Sequence, residues 1–394
     1  MSVPFRTRNR LLLLKVEATP GTDAVPTPAA NAVRTSVPTW SPALEALDSN
    51  YAQESIDAAD PITGGGSSSM RGQSKLTGAG TAGTAPDWGV IMRGGAMAEL
   101  LTAADVTGTA QAGTASSITL AAGASAVNDA YKGMPIELTG GTGGPSLIPR
   151  AIIAYNGTTK VAMVTPNWTV TPDATSLYAI RKNARYVPVT QGQENLSAYL
   201  YNHGSAAGSQ SKLAKSLGAM MAWQIALQTG KLVDLNWTLM GILPGAPTDV
   251  AKPSAPTFTG ADPEAFKAAQ CYLNGVAVKL NSFGFDCGNG VAQFDDPAAT
   301  HGKDTADITT RTQTGRLALA AAYTSTYDAV GDFIASTSRV LWLNWGSAVG
   351  KRVSLLMPAI RHTGPEDIDI QGYSGQGLPF RACGFDTGIY VSVW

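Results

Sequence analysis

Charge is what this sequence has least of. Only 14% of its 394 residues are Asp, Glu, Lys or Arg and the formal net charge is −1, where an ordinary globular chain has about a quarter of its residues charged. A protein whose work is to grip nucleic acid needs clustered Lys and Arg to displace counterions, so that class is excluded, although DNA as a passing cargo is not. Cysteine is scarce too: Cys271, Cys287 and Cys383 are odd in number and show no C-x-x-C spacing. This argues against a disulfide framework or a zinc site and leaves them as small core residues. The three histidines, His203, His301 and His362, stand alone, and there is no H-E-x-x-H, no G-x-S-x-G elbow and no Walker motif. The G-G-T-G-G run at 140–144 lacks the following Lys-Ser/Thr and reads as a turn. No apolar run reaches the roughly 20 residues of a membrane-spanning helix. The four leucines at 11–14, behind Arg6, Arg8 and Arg10, are too few for a signal-peptide core, so a soluble, non-exported protein with no membrane partner is expected.

What is plentiful is Gly, at 43 residues, in a background rich in Ala, Ser and Thr, a surface suited to burial against other subunits. Within it, residues 196–242 have a second copy. The stretch 201–208 reads Y-N-H-G-S-A-A-G and 343–350 reads L-N-W-G-S-A-V-G, so Asn202, Gly204, Ser205, Ala206 and Gly208 recur as Asn344, Gly346, Ser347, Ala348 and Gly350. The same register carries Leu213 onto Leu355 and Gly230 onto Gly372, the self-similarity of a duplicated unit. In the first copy Met221, Trp223, Ile225 and Leu227 alternate with Ala222, Gln224, Ala226 and Gln228; beyond Gly230, Val233, Leu235, Trp237 and Leu239 resume the apolar face. That period predicts a long hairpin with one buried side. Leu76, Asp87 and Met92 precede the first copy as Leu317, Asp328 and Phe333 precede the second, at one offset. Each set reads strand, small-residue loop, short helix, and each half is expected to be a βαβ-rich unit behind a long polar loop, residues 48–71 and 287–311.

Residues 1–10 read as a flexible arm, 11–17 as a first strand and 18–33 as an extended, irregular segment broken by prolines. Thr84 is expected to cap a helix starting at Pro86 and Asp87. Gly94 and Gly95, each costing about 1 kcal/mol in a helix interior, imply close packing against a strand or an early helix end. Residues 106–183 interrupt the first half with a β pattern of their own, with strands at 118–120, 134–138, 150–155, 160–165 and 177–180 and a hairpin turn at Asn156-Gly157. They make a small β-barrel or sandwich. The Pro-rich stretch 245–263 reads as a linker, and the closing strand, 388–394, is expected to pair within the sheet or with a neighbour.

The opening "KVEATPGTDAVPTPAANAV" (15–33), with "GTAGTAPDWGVIMRGGAMAEL" (80–100), resembles the tail tube proteins of long-tailed bacteriophages, and "IIAYNGTTKVAMVTPNWTVTPDATSLYAI" (152–180) is similar to a module inserted in phage virion proteins. The resemblance implies a mainly β fold with short α-helices. It comprises duplicated tail-tube β-sandwich or barrel domains, the first discontinuous over 1–105 and 184–250 and the second over 264–394. A linker at 251–263 joins them, and 106–183 form an inserted β-barrel or sandwich decorating the outside. It implies a structural virion protein, not an enzyme, assembled in the host bacterial cytoplasm. The protein would polymerise as stacked rings into a tail tube through which double-stranded DNA passes as non-specific cargo, with tape measure, tail terminator and distal tail proteins as further partners. Two domains per chain predict a trimeric ring of pseudo-sixfold symmetry; a hexamer is the alternative if only one half is a tube domain. Gln224, Gln228, Asp234 and Asn236, on the polar face of the first hairpin, are expected to line a neutral or mildly acidic lumen. Asn50, Tyr51, Asp295 and Asp296, in the long loops, are expected to reach the next ring.

For chemistry, the best candidate group is Asp295, Asp296, His301 and Asp304, which can hold a hydrated cation or exchange protons, yet it lies in a polar loop where acidic residues are solvated; Glu366, Asp367 and Asp369 read the same way. No catalytic residue, cofactor or metal is expected. The competing class is a β-rich adhesin or carbohydrate-binding protein whose insertion stacks sugars on an aromatic such as Trp168. A third reading, a polysaccharide-degrading enzyme, needs a carboxylate pair at a defined separation.

Overall fold

The structure is a computed structural model, and it describes residues 5–49, 51, 52, 54, 56, 57, 59–205 and 210–394. Among these are 28 strands and three short helices, and every strand pairing is antiparallel. The first half comprises β1 (Phe5–Val16), α1 (Pro28–Asn31), β2 (Ala32–Val33), β3 (Ser36–Leu47), β4 (Ile62–Lys75), α2 (Gly89–Gly94) and β5 (Met97–Thr102). The insertion adds β6 (Val106–Thr109), β7 (Ala112–Thr114), β8 (Ser117–Thr119), β9 (Pro135–Gly140), β10 (Arg150–Asn156), β11 (Val161–Thr165) and β12 (Leu177–Ile180). The chain then returns through β13 (Asn183–Pro188), β14 (Leu196–Gly204), β15 (Ser211–Gln228), β16 (Asp234–Ile242) and β17 (Thr248–Val250). The second half has β18 (Gln270–Leu273), β19 (Val276–Ala277), β20 (Leu280–Asp286), β21 (Asn289–Asp295), β22 (Lys303–Arg311), β23 (Thr314–Ala320) and α3 (Ala329–Ile334). It ends in β24 (Arg339–Trp345), β25 (Val353–His362), β26 (Glu366–Ile370), β27 (Tyr373–Ala382) and β28 (Tyr390–Val393).

The strand alternation read at 221–239 governs the packing. Trp223, Ile225, Leu227, Leu235 and Trp237 are buried, and Gln224 and Gln228 are exposed. β15 is long enough to serve two layers. Its upper part pairs with β14 and β17, extending to β1 and β2; its lower part pairs with β16, which leads to β4 and β3. The second half uses the same pairings. β25 joins β24 and β28, with β18 and β19 beyond, while β26 and β27 lead to β23 and β20. Where the first half has one strand, the second has β25 and β26 separated by Thr363, Gly364 and Pro365; proline has no N–H to give a ladder. Gly230 and Gly372 turn both hairpins at φ +82° and +84°. The core between the layers contains Trp88, Trp223, Trp237 and Trp345 and is continuous through both halves.

The strand, helix, strand segments do not make parallel βαβ units. α2 plugs the space between layers with Ile91 and Met92 fully buried, and its flanking strands need no right-handed crossover because they lie in antiparallel ladders. The helix begins at Gly89, three residues later than expected. Thr84 Oγ1 bonds Thr81 O (2.6 Å) instead of capping it, and Asp87 accepts from Arg34 Nε at 2.8 Å. Both reasons inferred for Gly94 and Gly95 hold, since the helix ends there against Leu196 and Trp223.

The two polar loops are hairpins. Strand β4 takes up 62–71, including the Gly-Ser run, because β3 pairs along it and β16 takes its other side from Ser68 onward, and Gly66 lies so close to Ala43 O that a Cβ has no room. Likewise β21 and β22 pair with each other around the turn at 296–302. Residues 5–10 are not a free arm; they run in β1, with Arg10 opposite Asn202. Residues 257–261 follow the first half, Thr257 N bonding Pro28 O and Ala261 N bonding Gly78 O. The strand at 390–393 is central, between β25 and β13.

The insertion has seven strands in the order β6-β12-β9-β10-β11-β8-β7. Since β6 and β7 are nearly consecutive, the sheet curls back on itself around Ile118, Ile136, Ile152 and Tyr178. Asn156-Gly157 opens a four-residue turn in which Asn156 Oδ1 accepts from Thr158 N and Thr159 N. Ala151 packs with Trp342, Leu356 and Tyr390 of the second half.

Candidate functional site: a polar sheet face with two free edges

The lower strands form one continuous ladder in the order β3, β4, β16, β15, β20, β23, β27, β26. At its middle the two halves meet edge to edge, Gln224 opposite Asp286, Ala226 opposite Gly284 and Gln228 opposite Ser282. Gln224 Nε2 donates to Asp286 Oδ2 across this seam at 2.8 Å. The halves therefore contribute β3-β4-β16-β15 and β20-β23-β27-β26, in matching order. Among the described residues β3 pairs only with β4, and β26 only with β27, so the ladder ends in two free edges. These are the counterparts of the two edges joined at the seam.

Cross-strand partners share a face. Gln224, Gln228, Asp234 and Asn236 accordingly stand together on the face away from the core, with Thr39, Arg71, Gln73, Lys75, Asp286, Arg316 and Glu366. Charges of both signs are present and several are mutually satisfied: Lys75 pairs with Asp234, Arg316 with Glu366, and Gln73 Nε2 donates to Asn236 Oδ1 at 3.0 Å. The face is thus polar and nearly neutral. Shallow open hollows of ≈ 620 and ≈ 820 Å³ run along it.

Asn50 lies outside the described residues. Tyr51 is 78% exposed beyond the end of β3. Asp295 and Asp296 are at the tip of the β21–β22 hairpin, Asp295 paired with Lys303 and Asp296 Oδ1 accepting Ala298 N at 2.8 Å. The tip lies beside β4, where Gly66 N donates to His301 O (2.9 Å), so the long hairpins of both halves run side by side. Asp304 Oδ1 accepts Thr305 N, and among the described residues no three His, Cys, Asp or Glu are grouped to hold a metal ion.

Other polar groups are buried in the fold. His203 Nδ1 lies 2.7 Å from Ser211 Oγ, and His362 Nε2 lies 2.5 Å from Tyr327 Oη. Burial pushes the Cys271 and Cys287 thiols up to about 12 and about 11, so both stay protonated. Trp168 is buried, with the Arg150 guanidinium 5.3 Å above its ring, which removes it as an exposed platform for sugars.

Sequence reasoning found the polar face from its period of two but missed the edges and the seam. No protein-family model matches this chain, and no curated protein matches it.

Proposed function

We propose that the protein is a tail tube subunit whose copies join edge to edge into rings that stack as a conduit for double-stranded DNA. The observation that carries this reading is the β15–β20 seam: it joins one half to the next in a way that β26 and β3 of successive copies can repeat. In the register of the internal seam, Glu366 comes opposite Ser41 and Ile368 opposite Thr39. A head-to-tail contact of this kind closes into a ring when the rotation allows, and closure removes both free edges.

Eight lower strands per chain set the size. Three copies give about two dozen strands, which at about 4.8 Å per strand enclose a bore of about 40 Å between backbones, room for a duplex once side chains are allowed for. Six copies joined through every edge give roughly twice that, far wider than a guide for one duplex needs. The trimer is therefore the ring proposed. The nearly neutral face bearing Gln224, Gln228, Asp234 and Asn236 lines the bore and lets DNA slide, because charges already paired do not release its counterions. The hairpin tips with Tyr51, Asp295 and Asp296 meet the next ring, and the insertion lies outside. The two halves are read as duplicated tube units, and no catalytic role is assigned.

Negative-stain microscopy of the purified protein, with mass measurement of any rings, tests this. Rings of three subunits and stacks of them are expected; rings of six replace the trimer while keeping the tube. A monomer that never polymerises at high concentration overturns the reading.

A further inference from the structure

The net charge of −1 hides an uneven distribution. The lower strands run between two ends of the molecule, and the charges gathered at those ends differ in sign. At one end are the tips of the β3–β4 and β21–β22 hairpins, held side by side by the Gly66 N to His301 O bond at 2.9 Å. They carry Glu45, Asp48, Asp60, Asp295, Asp296 and Asp304, and among the described residues of 44–66 and 294–304 the one lysine or arginine is Lys303, engaged by Asp295.

At the other end the chain turns from β15 into β16 at Gly230. Gly230 N donates to Phe266 O and Phe266 N to Lys231 O, both at 2.8 Å, and Thr229 N donates to Asn281 O at 2.9 Å. These bonds gather Lys231, Lys267 and Lys279 around one turn, and all three are exposed. Among the described residues the lysine ion pairs belong to Lys75, Lys132, Lys215, Lys303 and Lys351, so these three have none. Glu264, three residues before Lys267, is engaged by Ser347 and Lys351, and Asp369 accepts Gly372 N at 3.1 Å. Continuous chain joins the two ends: β20 and β21 lead from Lys279 to Asp295, and β4 leads from Ile62 at the tips to Lys75 opposite Asp234. The 14 residues of β4, at about 3.3 Å each, hold the ends about 45 Å apart. Charges at that separation do not neutralise one another within a chain, because the Debye length is about 8 Å at physiological ionic strength.

We infer that the acidic hairpin tips of one copy dock on the lysine-bearing turn end of a copy in the next ring, so that charge holds successive rings together. The inference rests on the proposed rings of edge-joined copies, in which every tip faces one way, and it names the surface those tips meet. The occupant is a second copy because one chain carries both partners, an excess of carboxylates at one end and three unpaired lysines at the other. Tip on tip brings like charges together, which gives the stack a single polarity. A head-to-tail contact of this kind stays open and grows a filament.

The test uses rings of the full-length protein, followed by negative-stain microscopy and sedimentation velocity in 0.1 M and 1 M NaCl. The added salt shortens the Debye length from about 10 to about 3 Å, so the mean number of rings per stack should fall about fivefold while single rings remain. Lys231→Glu, Lys267→Glu and Lys279→Glu made together leave both ends acidic. Glu45→Lys, Asp60→Lys and Asp295→Lys made together leave both ends basic. Each variant should give single rings at 0.1 M salt, the rings themselves showing that it folds. Mixed, the two kinds of ring should stack again, since each supplies the end the other lacks. Stacks that persist at 1 M salt and in the lysine variant, or mixed rings that stay single, overturn the charge-held contact and leave the edge-joined ring standing. Unaltered rings that fail to stack at 0.1 M salt do the same. Absence of rings from the unaltered protein overturns the reading on which the contact rests.

Discussion

A methyl group on Gly95 would meet the indole of Trp223, and one on Gly94 the side chain of Leu196. In an open helix, Gly→Ala is stabilising by up to about 1 kcal/mol; here the sign reverses. Gly95→Ala is expected to destabilise by about 1 to 3 kcal/mol through overpacking, read as a fall in thermal midpoint. Asp87, buried beside α2, has its carboxyl raised by desolvation while Arg34 pulls it down. Removing the cation leaves a charge without its partner, so Arg34→Ala should cost about 2 kcal/mol, short of the full value for a wholly buried pair because Arg34 is a third exposed. A pH effect belongs to the group Tyr327, His362, Asp332, Arg339 and Asp328. Burial holds the His362 imidazole below its ordinary value, against the pull of the Asp332 charge. The Arg339 hydrogen bonds hold the Asp332 carboxyl low. Both folded values are depressed, so the stability tied to them is full above the unfolded values and is lost as pH falls through the folded ones. For His362 the loss begins below about pH 6.5. His362→Gln should therefore flatten the urea midpoint between pH 7.5 and 5, with the deeper acid loss from Asp332 remaining.

Among elements, the β21–β22 hairpin of the second half is held in place by side chains and backbone of the first. Its anchor is Asn195, whose Nδ2 donates to both Gly218 O and Ala306 O at 3.1 and 2.8 Å. Asn195→Ala leaves those carbonyls without this donor in a buried site, a cost of about 1 to 3 kcal/mol. The loss should be local: amide exchange is expected to quicken over 289–311 while the ladder of β15 with β16 keeps its protection. Uniform quickening would mean that the hairpin is part of the global core. This hairpin also explains why β15 is buried on both faces near Gly218 and Met220 but on only one below Met221.

For the whole molecule, the proposed conduit makes the chemistry of the open face the thing to test. Of its cations, Lys75 and Arg316 are engaged by Asp234 and Glu366 and Arg71 donates to Thr39 Oγ1, so assembled rings are expected to bind duplex DNA only weakly, and the binding should vanish between about 50 and 200 mM salt. Fluorescence anisotropy of a labelled duplex measures this; tight binding that survives the higher salt would remove DNA sliding from the proposal. Ring formation, which the proposal assigns to backbone ladders between copies, should change little over the same range.

Sequence alone determined the elements that alternate and recur. The period of two placed Gln224, Gln228, Asp234 and Asn236 on one face, because a residue in a strand points away from its neighbours whatever lies beyond. The N-x-G-S-A-x-G repeat marked β14–β15 and β24–β25 as corresponding strand pairs. Where a segment's state depends on partners distant in the chain, sequence was silent or misleading. The Gly-Ser run of 64–69 has the composition of a loop and becomes strand because β3 pairs along one side of it, while His301 O takes Gly66 N and β16 joins from Ser68 on the other. Residues 5–10 are held by β14, nearly 200 positions away. The seam between β15 and β20 and the free edges of β3 and β26 are backbone hydrogen-bonding relations, made by N–H and C=O groups that every residue carries, and so they have no side-chain signature. Only the tertiary structure decided which strand edges were already occupied and which remained open to a neighbour.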